Sequence, residues 1–133
     1  MKAYISISYN KRKNMDAEIH AIKEALLNYG IEPFVFVDEF RFDQKEEKKM
    51  MQHSMRSIDD CDLLIAETSD KAIGVGIEVG YAKAKDKPVI FLRNENAEHS
   101  TTVSGTSDFQ LIYADTKDLR DQLLGVLSRI GNS

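Results

Sequence analysis

The 133-residue sequence predicts a single α/β domain, a flavodoxin-like or Rossmann-like sandwich of five parallel strands with helices on both faces. Strand-like and helix-like hydrophobic periods alternate along the chain, which favours a parallel sheet with right-handed crossovers. The segment "DLLIAE" at 62–67 is apolar enough for a strand that is covered on both faces. The length fits one domain spanning 1–133 and leaves no room for a separate substrate domain.

The first half of the chain predicts two strands and two helices. "KAYISIS" (2–8) alternates and is rich in β-formers, and a helix follows between a capping Asn14 and Gly30. "EPFVFV" (32–37) predicts the second strand. The charged stretch "DQKEEKK" then leads into a helix whose inner face carries Met51, Ser54, Met55 and Ile58.

The second half predicts three more strands. The third strand, 62–67, precedes a glycine-rich turn and a helix that ends at Lys85, and "KPVIFL" (87–92) is the fourth strand. Residues 93–107 are predicted to form a long polar loop, and "FQLIYA" (109–114) closes the sheet. A last helix follows Asp115, with an apolar face formed by Leu119, Leu123, Val126 and Ile130.

Composition narrows the class of partner. The formal charge of −4 argues against nucleic acid or an anionic membrane and favours a small molecule. No apolar run approaches the ~20 residues of a membrane span, and the first residues lead directly into a strand, so we expect a cytoplasmic protein. Cys61 is the single cysteine and is expected in the core; neither a metal site nor a cofactor is predicted.

Ligands of open parallel sheets bind beyond the carboxyl ends of the strands, near the switch in strand order. The segments that follow strands 1, 3 and 4 are therefore the candidates for a site. They are 8–13, 68–78 and 93–105.

The stretch "AIGVGIEVG" (72–80) has three glycines around one glutamate, Glu78. A dinucleotide fingerprint would be G-x-G-x-x-G with a helix terminus free for pyrophosphate, whereas Glu78 is predicted in the first helical turn, where it would repel phosphate. The helix dipole and free N–H groups there would keep its carboxylate ionised with a low pKa, as a nucleophile requires. The alternative is an ordinary acidic residue that stabilises a helix terminus.

Residues 61–92, with "MRSIDD" before them and the "KAYISIS" strand, resemble the nucleoside 2-deoxyribosyltransferase family. The likeness extends from residue 2 to about 115 and is strongest to the branch of 2'-deoxynucleoside 5'-phosphate N-hydrolases. The specific part is a G-x-G-x-E-x-G-x-A turn and helix, matched here by Gly74, Gly76, Glu78, Gly80 and Ala82.

The resemblance implies roles for several residues. Glu78 would be the nucleophile that attacks C1' of the sugar, and Tyr4 matches a family tyrosine close to it, the alternative being a core aromatic. Gly74 and Gly76 would border the substrate. Ser8 and the turn "YNKRKN" match the segment that meets the 5'-phosphate, although a basic triplet is usually a solvated turn; the candidate cations are Lys11, Arg12 and Lys13.

The resemblance also implies a homodimer with a shared active site. Ser100 and Thr101, in the hydroxyl-rich stretch "EHSTTVSGTSD" (98–108), match a region that reaches the neighbouring subunit's substrate. The alternative is an ordinary polar loop. His99 would be either a proton carrier there or a surface residue.

Two positions depart from the family pattern. Ser54 stands where the family has a catalytic aspartate, and Ala72 where it has an aspartate or serine. A hydroxyl cannot protonate a departing base as a carboxylic acid can, although His53 is adjacent. We expect hydrolysis of a (deoxy)nucleoside 5'-monophosphate by way of Glu78. The alternatives are a non-catalytic nucleotide-binding or signalling module and a nucleoside 2-deoxyribosyltransferase.

Overall fold

The computed structural model describes residues 1–131 and contains one parallel sheet. Its strands are β1 (Lys2–Ile7), β2 (Glu32–Val35), β3 (Leu63–Glu67), β4 (Val89–Asn94) and β5 (Phe109–Tyr113). Their order is β2-β1-β3-β4-β5, and every neighbouring pair is parallel. This arrangement confirms the predicted single-domain α/β class in its flavodoxin-like form.

Helices connect the strands and cover both faces of the sheet. In chain order they are α1 (Tyr9–Arg12), α2 (Asp16–Asn28), α3 (Phe36–Glu39), α4 (Glu47–Asp59), α5 (Ile73–Ala84), α6 (Thr101–Thr106) and α7 (Thr116–Gly131). A 3-10 turn at Gln44–Glu46 precedes α4, and Asp43 caps it with a capping box.

The two faces of the sheet have separate hydrophobic cores. On one face, β1 and β3 side chains such as Ile5 and Ile65 pack beneath α2 and α7. On the other face, Tyr4 and Leu64 belong to the core beneath α4 and α5. Because successive side chains of a strand alternate between faces, Ser6 lies on the same face as Tyr4. The order reverses between β1 and β3, so the switch point lies at the carboxyl end of β1.

Three predicted features differ from the structure. The helix before Gly30 begins at Asp16 with Met15 at its N-cap, so the predicted cap by Asn14 is wrong. The second strand does not run to residue 37, because β2 pairs with β1 only as far as Val35 and the chain turns at Phe36 into α3. The predicted loop 93–107 is also partly regular: β4 continues to Asn94, and Ser100 caps α6. Its hydroxyl accepts a hydrogen bond from the Val103 amide, as serine N-caps do.

Cys61 is 2% exposed, in agreement with its predicted place in the core. Within residues 1–131 no helix has the length and apolar character to traverse a bilayer. The same part of the chain holds no group of three or more histidine, cysteine or acidic side chains arranged for a metal ion.

Candidate active site

Glu78 lies in the second turn of α5 rather than in the first. The helix begins at Ile73, after an extended Ala72 that offers no side-chain cap, so Glu78 is its sixth residue. The free N–H groups of a helix belong to its first four residues. The predicted stabilisation of the Glu78 carboxylate by the helix terminus is therefore wrong, and other groups decide its ionisation.

Three hydroxyl groups, from Tyr4, Ser6 and Ser54, hold the Glu78 carboxylate; we call them the hydroxyl cradle. Ser6 Oγ donates to Glu78 Oε1 at 2.7 Å, Ser54 Oγ donates to Oε2 at 2.7 Å, and the Tyr4 hydroxyl also donates to Oε2. Tyr4 Oη and Ser54 Oγ lie 3.0 Å apart. The side chain of Glu78 is thus fixed from two directions, by β1 and by α4.

Burial raises the pKa of Glu78 above its usual value, and the bonds from Tyr4, Ser54 and Ser6 offset this only in part. This result corrects the low pKa expected from the sequence, because loss of water outweighs the hydrogen bonds. Burial, followed by the charge of Glu78, also raises the pKa of Tyr4 above its usual range. Tyr4 therefore stays protonated and remains a donor to the carboxylate.

Glu78 borders a cavity of about 720 Å³ at the carboxyl end of β1. Such a volume suits a nucleotide-sized ligand. Ser6, Ser8 and Gly74 border the cavity near Glu78. The apolar part of the lining is formed by Phe36, Phe40, Phe42, Met50 and Met51.

Phe36, Phe40 and Phe42 form an aromatic wall of this cavity. The rings of Phe36 and Phe42 stack with centroids 6.3 Å apart, and those of Phe40 and Phe42 with centroids 6.0 Å apart. His53 packs against Phe40 at 4.9 Å and against Phe42 at 5.6 Å. Its imidazole supports the wall.

The sequence profile of the nucleoside 2-deoxyribosyltransferase family matches residues 4–123. This chain belongs to that family. The match includes the whole hydroxyl cradle and Glu78, and it confirms the resemblance that the glycine and glutamate spacing indicated.

Two curated relatives carry the provisional name 2'-deoxynucleoside 5'-phosphate N-hydrolase 1. The protein of Thermofilum pendens is 29% identical over 85 residues, which cover 60% of this chain and 59% of the relative. That of Syntrophotalea carbinolica is 46% identical over 41 residues, or 31% of this chain and 29% of the relative. Both alignments therefore span less than two thirds of the relatives' length.

Among solved structures, the CMP N-glycosidase BcmB of Clostridium botulinum has a similar fold. Its TM-score is 0.68 at 21% identity, with 92% of this chain and 98% of the other covered. At this level of identity the comparison shows that the two proteins share a fold.

The family resemblance predicts that residues 8–13 contact the 5'-phosphate. In the structure, these residues do not all border the same cavity. Ser8 lines the Glu78 cavity and donates to Asp70 Oδ2 at 2.6 Å. Lys11 borders a cavity of about 300 Å³ and Lys13 one of about 610 Å³, and both cavities adjoin the Glu78 cavity. Their contact with a phosphate stays a prediction.

Arg12 is engaged by acidic neighbours within the chain. Its guanidinium donates to both oxygens of Asp38 at 2.8 Å and to Asp16 at 2.6 Å. This two-pronged bond to Asp38 holds α3, and with it the start of the aromatic wall, against the α1 segment.

Ser100 and Thr101 line a cavity of about 280 Å³ beside the Glu78 cavity. The two cavities share Ala72 and Val75. Within the subunit, these hydroxyls lie next to the site, and their role in a neighbouring subunit stays a prediction. His99 is exposed, and the edge of its ring packs on Phe91 at 5.4 Å.

Sequence reasoning missed Ser6 and the aromatic wall. The period of two along β1 places Ser6 beside Tyr4, so the signal for Ser6 was present in the strand itself. Phe36 is predicted in the second strand, whereas no element is predicted for Phe40 and Phe42. Their convergence depends on the turn after Val35, which no local pattern indicates.

Proposed function

We propose that this chain hydrolyses the N-glycosidic bond of a (deoxy)nucleoside 5'-monophosphate, with Glu78 as the nucleophile, and that it acts in the cytoplasm without a cofactor. The observation that carries the proposal is the carboxylate of Glu78, held by three hydroxyl donors beside a nucleotide-sized cavity. The provisional names of the two curated relatives and the fold shared with a CMP N-glycosidase support the choice of reaction.

In the proposed first step, a Glu78 oxygen forms a bond to C1' while the bond from C1' to the base nitrogen breaks. The transition state has oxocarbenium character, as in retaining glycosidases. Tyr4, Ser6 and Ser54 fix the carboxylate so that little rotamer freedom is lost on reaction. Water then attacks C1', the ester bond breaks, and its electron pair returns to Glu78. The proton that the water loses balances the proton that the released base takes up.

The 5'-phosphate is proposed to lie toward Ser8 and the basic segment of Lys11, Arg12 and Lys13. Each contact of a cation or hydroxyl with the phosphate would add about 1.5–3 kcal/mol, as hydrogen bonds to charged groups do. Ser100 and Thr101 would complete this region, from the partner subunit.

A homodimer with a shared site is part of the proposal. Ile73 is 86% exposed and Ile77 is 47% exposed, one helical turn apart on α5 and next to Gly74 of the cavity. Large apolar side chains in this arrangement favour an interface with another subunit.

A second candidate, a nucleotide-binding module without turnover, is favoured by one observation. Ser54, at the position of the family's acid, donates its proton to Glu78 and has no acidic proton to give a departing base. A transferase, the activity for which the family is named, would resolve the same ester with a second base instead of water.

Incubation with matched nucleosides and 5'-monophosphates separates these candidates when free base is quantified by chromatography. We expect base release in water alone, with the monophosphates preferred. Release that requires an added second base would indicate the transferase. Binding measured by calorimetry without any release would indicate the module.

A further inference from the structure

The Ser54 hydroxyl donates to Glu78, the proposed nucleophile, and is not available to protonate a leaving base. Ser54 is 2% exposed, and its Oγ lies 2.7 Å from Glu78 Oε2 and 3.0 Å from Tyr4 Oη. A serine hydroxyl that donates to a carboxylate in this way orients it, and it is far too weak an acid to protonate a departing nitrogen.

The remaining ionisable groups at the cavity do not replace an acid. Among the described residues that line the cavity, the ionisable ones besides Glu78 are Tyr9 and Arg41, and both are exposed. A guanidinium group is a hydrogen-bond donor and does not act as a general acid in proteins. The Tyr4 hydroxyl is already a donor to Glu78, and His53 packs against Phe40 and Phe42.

The apolar side of the cavity favours a flat ring with a positive charge. Faces of aromatic rings attract cations, and thioethers contact aromatic rings favourably. Phe40, Phe42, Met50 and Met51 are half-buried and line this side. The carboxylate of Glu78, which borders the same cavity, adds a second attraction for positive charge.

We propose that the substrates are nucleoside 5'-monophosphates whose base is cationic because its ring nitrogen is quaternised, such as a pyridinium or an N-alkylated purine. This inference rests on the proposed function of Glu78. A neutral purine or cytosine leaves well only when it is protonated, whereas a cationic base already carries the charge that protonation would supply.

The bond changes need no acid. Glu78 forms its bond to C1', and the electron pair of the breaking C1'–N bond moves onto the ring nitrogen and cancels the positive charge, so the base departs neutral. Water then adds to C1', the ester oxygen recovers its electron pair, and one proton of the water enters the solvent. The products are a neutral base, a sugar phosphate and one proton.

The test uses two matched pairs of 5'-monophosphates, each with a blank in buffer. One pair is 7-methylguanosine monophosphate against guanosine monophosphate, and the other is nicotinamide mononucleotide against cytidine monophosphate. Each rate of base release is divided by the rate of the same nucleotide in buffer, because cationic bases leave faster without any enzyme. We expect wild type to accelerate the cationic members at least about 100-fold more than the neutral ones, the low end of what an acid group contributes.

Ser54→Asp places a second carboxyl group beside Glu78, where two acids that share a site hold one proton between them, and that proton can pass to the base. Ser54→Asn is the matched control of nearly equal shape. Ser54→Asp should raise the rate of base release from the neutral nucleotides about 10²–10⁴-fold, with no comparable gain on the cationic nucleotides. Ser54→Asn should raise neither rate. Thermal melts establish that both variants are folded. If Ser54→Asp does not fold, the ratio of the accelerations of cationic and neutral nucleotides by wild type tests the inference without it.

Equal acceleration of cationic and neutral members by wild type would overturn this inference while leaving the proposed hydrolase intact. Release from the neutral members alone would do the same. Absence of release from all four nucleotides, with wild type folded, would overturn the proposed function together with the inference.

Discussion

Ser54 Oγ lies 2.7 Å from Glu78 Oε2 and joins the middle of α4 to the second turn of α5. Both residues lie beneath the cavity, and the bond lowers the pKa of Glu78 against the larger effect of burial. The ionisation of the proposed nucleophile therefore depends on a side chain from a neighbouring helix.

The loss of this hydroxyl should change the pH dependence of base release. In Ser54→Ala the pKa of Glu78 should rise further, so activity should begin to fall at a higher pH on the acid side. A hydrogen bond to a charged group contributes roughly 1.5–3 kcal/mol, so the change is measurable in kcat/KM between about pH 4 and 8. Ser57→Ala is the control, because it removes a hydroxyl from the same helix that donates to the His53 carbonyl at 2.8 Å and not to Glu78. An acid limb that does not move would contradict this coupling.

The half-buried charge of Glu78 should reduce stability at neutral pH. Its pKa is raised in the folded protein, so its stabilising contribution is complete below the unfolded value of about 4.3 and is lost as pH rises through the folded value. Glu78→Gln should therefore melt above wild type at pH 7. A gain of about 1 kcal/mol corresponds to roughly 2–8 °C in Tm.

The Tm difference between Glu78→Gln and wild type should shrink as pH falls below the unfolded value of about 4.3, where the wild-type carboxyl is mostly protonated in both states. Melting curves at intervals of one pH unit follow this trend. A variant that is less stable than wild type at pH 7 would show that the hydroxyl cradle outweighs the cost of burial.

A second buried glutamate provides a separate stability prediction. Glu67 is 1% exposed, and its carboxylate accepts bonds from the Tyr113 hydroxyl at 2.7 Å and the Ser69 amide at 2.6 Å. Tyr113→Phe should cost about 1–3 kcal/mol of unfolding free energy, because a buried acceptor loses its donor. Urea denaturation measures this cost.

The same Tyr113→Phe change in a Glu67→Gln background is the control. Its cost should be smaller there, because the neutral amide needs the hydroxyl less than a buried charge does. Equal costs in both backgrounds would indicate that Tyr113 stabilises the core independently of Glu67.

Exposed apolar residues on α5 allow a test of the dimer. Ile73→Glu combined with Ile77→Glu should give a monomer in sedimentation measurements at micromolar concentration, because it places charge in the proposed interface. Loss of the dimer should also lower the rate of base release if Ser100 and Thr101 act across subunits. A wild type that is monomeric at the same concentration would rule out the shared site.

The sheet could be predicted because its signals are local. A run of buried residues such as Leu63, Leu64 and Ile65 is recognisable as a central strand from its own composition. The alternation of strands with amphipathic helices then leaves few possible topologies.

The aromatic wall could not be predicted because its cause is not local. The residues Phe34, Val35, Phe36 and Val37 are all good strand formers, yet β2 pairs with β1 only to Val35. Beyond that point burial of Phe36 against Tyr4, with ring centroids 6.0 Å apart, replaces strand pairing.

The ionisation of Glu78 was mispredicted for a similar reason. Its setting depends on where α5 begins and on Tyr4, Ser6 and Ser54, which are 24 to 74 residues away along the chain. The glycine spacing indicated the nucleophile. It contained no information on the burial that raises the pKa.

The most direct test of Glu78 compares wild type, Glu78→Gln and Glu67→Gln with the nucleotide that wild type cleaves fastest. Glu67 is a matched control, because it is a buried glutamate on the other face of the same sheet, outside the cavity that Glu78 borders. Base release is measured under single-turnover conditions, and quenched protein is digested and analysed by mass spectrometry. Glu78→Gln should lose roughly 10³-fold or more, as removal of a catalytic nucleophile does. Glu67→Gln should remain active, and wild type should carry a sugar phosphate on the peptide that contains Glu78. Normal turnover by Glu78→Gln, or an adduct on another residue, would contradict the proposed mechanism.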